Sequence, residues 1–254
     1  MNIHPISCGT LRVDALEMYN NLPLERIREY YHIDRDGSLR ISLNALLISN
    51  NKRNILIDPG CADFLPARLQ ESYGLENPLG LEETIREKGI EPDQITDVLI
   101  THLHFDHGSG AFIRVPGCIK KRFQHARYWV SRTHYSYASR PDPKEEGSFF
   151  RTFLDYLDQI HWIEDWDLEW LQFLYFHGHT KEMVIPVIHT DKRKFYFASD
   201  LVPMELFLEP EVNSGYDLDP DLAAREKRTF LDELDGNSEL FLFHEPLRNR
   251  VYYP

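Results

Sequence analysis

Apolar positions along this chain fall mainly into short runs bounded by polar turns, the signature of strands rather than long helices. Ile41 to Ile48 alternates well enough for a half-buried strand. The polar turn Ser49 to Asn54 then leads into Ile55-Leu56-Ile57-Asp58, which predicts a hairpin closed by Asp58-Pro59-Gly60. Further strands are expected at Thr96 to Thr101, Arg127 to Val130, Leu171 to Phe176, Met183 to His189, Lys194 to Ala198 and Leu240 to Phe243. Pro186, inside one of these, predicts a bulge or a sheet edge. Residues 3–20 read as one or two strands, and Asn21 to Leu39 as a loop or short helix.

Helical spacing is found in fewer places. Asn77-Pro78 marks a start, with Leu81 and Ile85 on one face and Gly89 as the stop. Phe149, Phe153, Leu157 and Ile160 share a face, so Ser148 to Ile160 is predicted as an amphipathic helix whose aromatic stripe packs in a core. Asp219-Pro220 opens a helix to about Leu234, ended by Gly236. Arg140 to Gly147 reads as a proline- and charge-rich loop, Lys120-Lys121-Arg122 as a solvated loop, and Glu164 to Trp170 as a solvated turn. Strands alternating with helices predict an α/β protein.

With 254 residues, 42% of them hydrophobic and 13% aromatic, the chain can bury a sizeable core. We expect a single domain over 1–254. No apolar run approaches the ~20 residues of a membrane span, and the start Met1-Asn2-Ile3-His4-Pro5 lacks the pattern of a signal peptide. Three scattered cysteines, Cys8, Cys61 and Cys118, make neither a disulfide framework nor a thiolate zinc site. A cytoplasmic protein is the expectation. A net charge of −13 repels phosphate backbones, so neither nucleic acid nor membrane is expected as a partner.

What changes the picture is Thr101-His102-Leu103-His104-Phe105-Asp106-His107-Gly108, directly after the apolar Val98-Leu99-Ile100. Extended backbone would project His102, His104 and Asp106 to one side. His107 joins them only if the chain turns at Asp106, which Gly108 and Gly110 would ease. Burying four such groups without a metal would leave too many polar atoms to satisfy. Imidazole and carboxylate suit zinc, iron or manganese better than calcium or magnesium.

Four times a strand-like run ends in a possible ligand: Ile100 before that cluster, Phe176 before His177 and His179, Ala198 before Asp200, and Phe243 before His244. Loops at strand ends carry chemistry on a rigid scaffold. A set of this size exceeds one tetrahedral ion and suits two.

These pieces, His102-Leu-His104-Phe-Asp106-His107, Gly178-His179-Thr180, Ser199-Asp200 and Phe243-His244, with the preceding Ile57-Asp58-Pro59-Gly60, resemble the metallo-β-lactamase-fold hydrolases in order and separation. Within that family, Asp200-Leu-Val-Pro and Gly215-Tyr-Asp-Leu-Asp-Pro are similar to the branch of lactonases and organophosphate hydrolases. The resemblance implies a four-layer αβ/βα sandwich of two mixed sheets flanked by helices. It implies His102, His104 and His179 on one metal ion, Asp106, His107 and His244 on a second, and Asp200 bridging both. Asp106 and Asp200 become the catalytic carboxylates and Asp58 a partner behind a ligand histidine. Two divalent ions, zinc first and iron or manganese otherwise, would generate hydroxide for cleaving a small ester, lactone or phosphoester. Phe105, Met204 and Phe207 are candidate substrate-pocket residues, and the protein is expected as a monomer or homodimer.

Two departures from the family pattern stand out. The Gly-His-Thr element continues Lys181-Glu182-Met183 instead of with proline and glycine, and Pro203 stands where lactonases of the group often place a tyrosine. The competing function is an oxidoreductase on the same fold, such as a mononuclear-iron sulfur dioxygenase; a nuclease is disfavoured by the acidity. His177 is a rival to His179, while His125, His134, His161 and His189 read as structural or exposed.

Overall fold

The hairpin predicted from the alternation of Ile41 to Ile48 is present: β2 (Ser38–Ser49) pairs antiparallel with β3 (Asn54–Ile57), Leu46 opposite Ile57. The structure, a computed structural model, describes residues 1–76, 80–149, 154–155 and 160–252. Two compact units divide the chain. The first comprises Met1–Gly9 and Leu43–Asp167, the second Thr10–Ser42 and Leu168–Pro254, the chain passing between them within β1 (Asn2–Asp14) and β2.

The first unit is built on a sheet of order β1-β2-β3-β4-β7-β8, with β4 at Asp97–Leu99, β7 at Arg127–Val130 and β8 at Ile160–Trp162. From β3 to β8 the neighbours run parallel. Their central residues Ile55, Leu56, Ile57, Val98 and Leu99 have no exposure, which is why these strands read as continuous apolar runs. A separate hairpin joins β5 (Phe112–Val115) to β6 (Cys118–Lys121). The helices of this unit are short: α3 (Ala67–Tyr73), α4 (Leu81–Arg86), α5 (Phe105–Gly108) and α6 (Arg132–Ala138).

The second unit carries a sheet of order β13-β12-β11-β10-β9: β9 Leu171–Phe176, β10 Met183–His189, β11 Lys194–Phe197, β12 Ser238–Phe241 and β13 Arg250–Tyr252. Only β11 and β12 run parallel, so this sheet is mixed too. Besides α1 (Ala15–Met18) and α2 (Leu24–Arg28), it contains α7 (Pro220–Asp232). Asp219 caps α7 by accepting from the Leu222 amide, Pro220 takes its first turn, and Ala223, Lys227, Phe230 and Leu231 form its buried face. Phe230 meets Phe176 edge-on at a centroid distance of 5.8 Å. The molecule is thus mixed α/β, as expected. Among the described residues no helix is long and apolar enough to cross a membrane.

Four expectations need correction. Pro186 lies on neither an edge nor a bulge: β10 is flanked by β9 and β11, but pairing with β11 covers only Val187 to His189. The ladder on that side therefore stops short of the residue that lacks an amide hydrogen. Lys120 and Lys121 lie in β6, and Arg122 follows it, its Nε donating to the Gly110 carbonyl at 2.8 Å. Trp166 is buried, stacked on Trp129 at 4.2 Å and 6°, where a solvated turn was expected. Finally, Ile160 opens a strand and Phe149 forms a β-bridge with His104; at the ends of the helix expected over 148–160, only Ser148 is helical, as the last residue of a 3-10 turn over Glu146–Ser148. Residues 150–153 and 156–159 of that segment, and the Asn77-Pro78 helix start, lie outside the described residues.

Candidate metal centre

In the first unit, β4 ends at Leu99 and the chain leaves the strand before reaching its histidines. His104 takes the N-cap position of α5, so Asp106 and His107 stand on a helical turn, not on extended backbone. The extended geometry expected for His102, His104 and Asp106 is therefore corrected: the turn comes at His104, two residues before Asp106. The His102 ring lies 4.5 Å from that of His104 and 4.1 Å from that of His107, centroid to centroid. Gly110 serves close approach rather than turning: a Cβ there would lie 2.2 Å from the Pro59 carbonyl oxygen, while its amide donates to Gly60 at 2.7 Å. The ligand segment is thus pressed against the Asp58-Pro59-Gly60 turn.

Asp58 sits in that turn with φ +47° and no exposure. Its Oδ1 accepts from the Thr101 amide at 2.8 Å, and its Oδ2 from the Thr101 hydroxyl at 2.5 Å and His107 Nδ1 at 2.8 Å. Burial pushes this carboxyl up from its usual range, while His107 and Thr101 oppose the shift. His102 Nδ1 lies 3.1 Å from Thr101 Oγ1. His104 is turned the other way: its Nε2 lies 3.3 Å from Glu145 Oε2, and the Phe149 ring meets it edge-on at 4.8 Å.

In the second unit, His179 follows β9 through Gly178, where a Cβ would lie 2.2 Å from the Ala223 amide nitrogen of α7. Glu226, also on α7, accepts from the amides of His177 and Gly178 at 2.9–3.0 Å. This docking fixes the loop so that His179 Nδ1 lies 3.0 Å from Asp217 Oδ1 and its Nε2 3.2 Å from Asp200 Oδ2. Asp200 follows Ser199, which has φ +46° at the end of β11. His244 Nε2 lies 3.5 Å from Asp200 Oδ1, and its Nδ1 donates to the Ser42 carbonyl at 2.9 Å. His177 is at the surface, its Nδ1 accepting from the Glu182 amide at 3.2 Å.

One rule covers all five histidines. Each has one ring nitrogen tethered to a protein oxygen: His107 to Asp58, His179 to Asp217, His104 to Glu145, His102 to Thr101 and His244 to Ser42. A hydrogen on the tethered nitrogen leaves the lone pair on the other, which is the form in which imidazole binds a metal. All five are buried, and rings as close as those of the first unit cannot all be cationic. The donor chemistry therefore fits a metal. Of the tethers, only Asp58 is visible in the sequence, through its place at a strand end; Asp217, Glu145 and Thr101 carry no spacing signal that pairs them with a histidine.

Candidate pocket residues are buried. Phe105 packs on Tyr73 at 5.1 Å. Phe207 stacks on Tyr19 at 4.8 Å, and the Tyr19 hydroxyl donates to the Met204 sulfur at 3.4 Å. Cys61 is buried, with its thiol pushed well up by desolvation, as suits a small apolar residue.

Residues 41–243 match the family model of the metallo-beta-lactamase superfamily. Among solved structures, a probable metal-dependent hydrolase from Staphylococcus aureus is similar, with a TM-score of 0.89, 20% identity, and coverage of 99% of this chain and 92% of that one. AidC, a dizinc quorum-quenching lactonase, gives a TM-score of 0.79 at 18% identity, covering 98% and 89%. The hydrolase AbOPH gives 0.77 at 21%, again covering 98% and 89%. No curated protein sequence matches the chain.

Proposed function

The chain belongs to the metallo-beta-lactamase superfamily, and from that premise we propose that it is a metal-dependent hydrolase of small esters, lactones or phosphoesters. His102, His104 and His179 would hold one divalent ion, Asp106, His107 and His244 a second, and Asp200 would bridge them. Zinc is the ion assigned, with iron and manganese the alternatives this donor set admits. The observation that carries the reading is the tether on each of these five histidines, since in the neutral ring it leaves the other nitrogen's lone pair for a metal. The family match supports it by spanning both groups of ligands, and AidC, whose name describes a dizinc lactonase, has the same fold.

When bound, two such ions lower the pKa of a shared water toward neutrality and polarise a carbonyl or phosphoryl oxygen. The chain supplies the rest. Asp58 and Asp217 would hold their imidazoles in the tautomer with the hydrogen on Nδ1. Asp106, half-buried, can accept a hydrogen bond from the attacking water and so orient it. We take residues 1–254 as one functional domain acting on a small molecule in the cytoplasm, as a monomer or homodimer, with no nucleic-acid partner.

The test is metal stoichiometry followed by a panel of lactones, esters, phosphotriesters and β-lactams. Two equivalents of zinc, turnover of at least one class, and loss of both metal and turnover in His104→Ala are expected. Unchanged turnover in that variant, or activity on a persulfide and on nothing in the panel, would overturn the proposal.

A further inference from the structure

The segment that the sequence marks only as a proline- and charge-rich loop reaches one of the histidines. Glu145 is 4% exposed despite lying between Lys144 and Glu146. Its two oxygens face different partners: Oε2 lies 3.3 Å from His104 Nε2, and Oε1 accepts from the Tyr137 hydroxyl. The Tyr137 oxygen in turn accepts from the Asp142 amide at 3.1 Å. Burial and then Glu145 itself hold the phenol above its ordinary range, so Tyr137 stays a donor to the carboxylate. Four residues on, Phe149 bridges His104 backbone to backbone and covers its ring.

Tyr137 stands on α6, and the same helix makes a second contact with the ligand segment. His134, three residues earlier and fully buried, accepts from the Leu103 amide through Nε2 at 2.8 Å. Residues three apart share a helix face, so one side of α6 fixes the backbone at Leu103 while its Tyr137 fixes the carboxylate beside His104. Ser131 anchors that helix by capping the His134 amide at 3.3 Å.

From this geometry we propose that Glu145, held by Tyr137, is the positioning residue of His104: it orients the ring and reserves Nδ1 for the metal. A carboxylate can only accept, so Nε2 carries the hydrogen and Nδ1 the lone pair. His107, His179 and His244 have the opposite arrangement, with Nδ1 tethered. His104 alone among these four depends on a loop carboxylate to expose Nδ1. This inference rests on the metal-centre reading above.

The test measures zinc affinity by competition with a chromophoric chelator, together with the unfolding temperature of the metal-free protein. Glu145→Ala is expected to weaken the tightest zinc site about 10- to 100-fold. Glu145→Gln, whose amide oxygen still accepts from Nε2 but carries no charge, should lose less, roughly threefold to tenfold, and Tyr137→Phe should fall in that smaller range. Metal-free unfolding temperatures near wild type would show that the loss acts on the ligand and not on the fold. If Glu145→Ala does not fold, the Gln variant decides. Wild-type affinity in Glu145→Gln and in any folded Glu145→Ala would overturn the proposal while leaving the metal centre standing. No zinc binding by the wild-type protein would overturn both.

Discussion

His107 donates its Nδ1 hydrogen to Asp58 Oδ2 at 2.8 Å with neither side chain exposed. The carboxylate also accepts twice from Thr101, so a single acidic group on the β3 turn sets both the path of the ligand segment and the tautomer of one ring. Burial favours a neutral Asp58 and raises its pKa, and the three donors offset that only in part.

Asp58→Ala removes all three contacts and strands the Thr101 amide. It is expected to cost about 1–3 kcal/mol of stability and about 10- to 100-fold in metal affinity. Asp58→Asn tolerates the positive φ better than most residues and should retain more stability than Ala. Urea unfolding read beside chelator competition checks both, and wild-type metal affinity in the Ala variant would show that the tether has no bearing on the ligand.

Removing the metal should destabilise the protein reversibly. Buried neutral imidazoles gathered around lone pairs gain nothing from folding without a cation to share. At free zinc 1,000 times its Kd, binding contributes about 4 kcal/mol. Chelator treatment should therefore lower Tm, and added zinc should restore it in a concentration-dependent way. A Tm indifferent to both would mean that these histidines hold no resident ion.

Much of this was legible because strand periodicity and ligand spacing are local. The strands 127–130, 171–176 and 183–189 match residue for residue, and the cap at Asp219 is where a Ser/Asp-type cap before proline must be. The tethers were not legible, because Glu145 meets His104 from 41 residues away and Asp217 meets His179 from 38. No spacing rule connects such pairs. The same holds for Trp166, whose polar neighbours suggested water while its ring found Trp129. Asp106 and His107 stand on a four-residue helix, too short to show a periodicity, so the sequence pattern there reads as extended backbone.

Close packing makes a sharp contrast between two glycines. At Gly178 a Cβ would stand 2.2 Å from the Ala223 nitrogen and 2.4 Å from its Cα, both backbone atoms that cannot swing away. Gly178→Ala should therefore cost about 1–3 kcal/mol or more and displace His179 with it. At Gly147 a Cβ meets nothing within 4 Å, so Gly147→Ala should fall within about 0.5 kcal/mol of wild type. Urea denaturation of the two variants side by side checks this, and equal stabilities would contradict the packing of the loop on α7.

Lys227 gives a pH dependence of defined sign. The residue is 3% exposed, and its ammonium donates to the Val212 carbonyl at 2.5 Å and lies 4.9 Å from the Phe207 ring centroid. Desolvation lowers its pKa to about 8 against an ordinary 10.5, with Asp217 opposing the shift. The unfolded chain therefore binds more protons than the folded one between about pH 8 and 10.5. Stability should rise with pH across that window and carry a constant penalty below it. The shift corresponds to about 3 kcal/mol. The buried Cys61 and Tyr19, whose pKa values are raised, work in the opposite direction as pH climbs, so the total slope mixes both. Subtracting the Lys227→Met profile from wild type isolates the lysine, because the cysteine and tyrosine contributions are common to both proteins. The difference, wild type minus variant, should grow in favour of wild type from pH 8 to 10. A difference flat across that range would mean that Lys227 keeps its ordinary pKa, and that its amine reaches water in spite of α7.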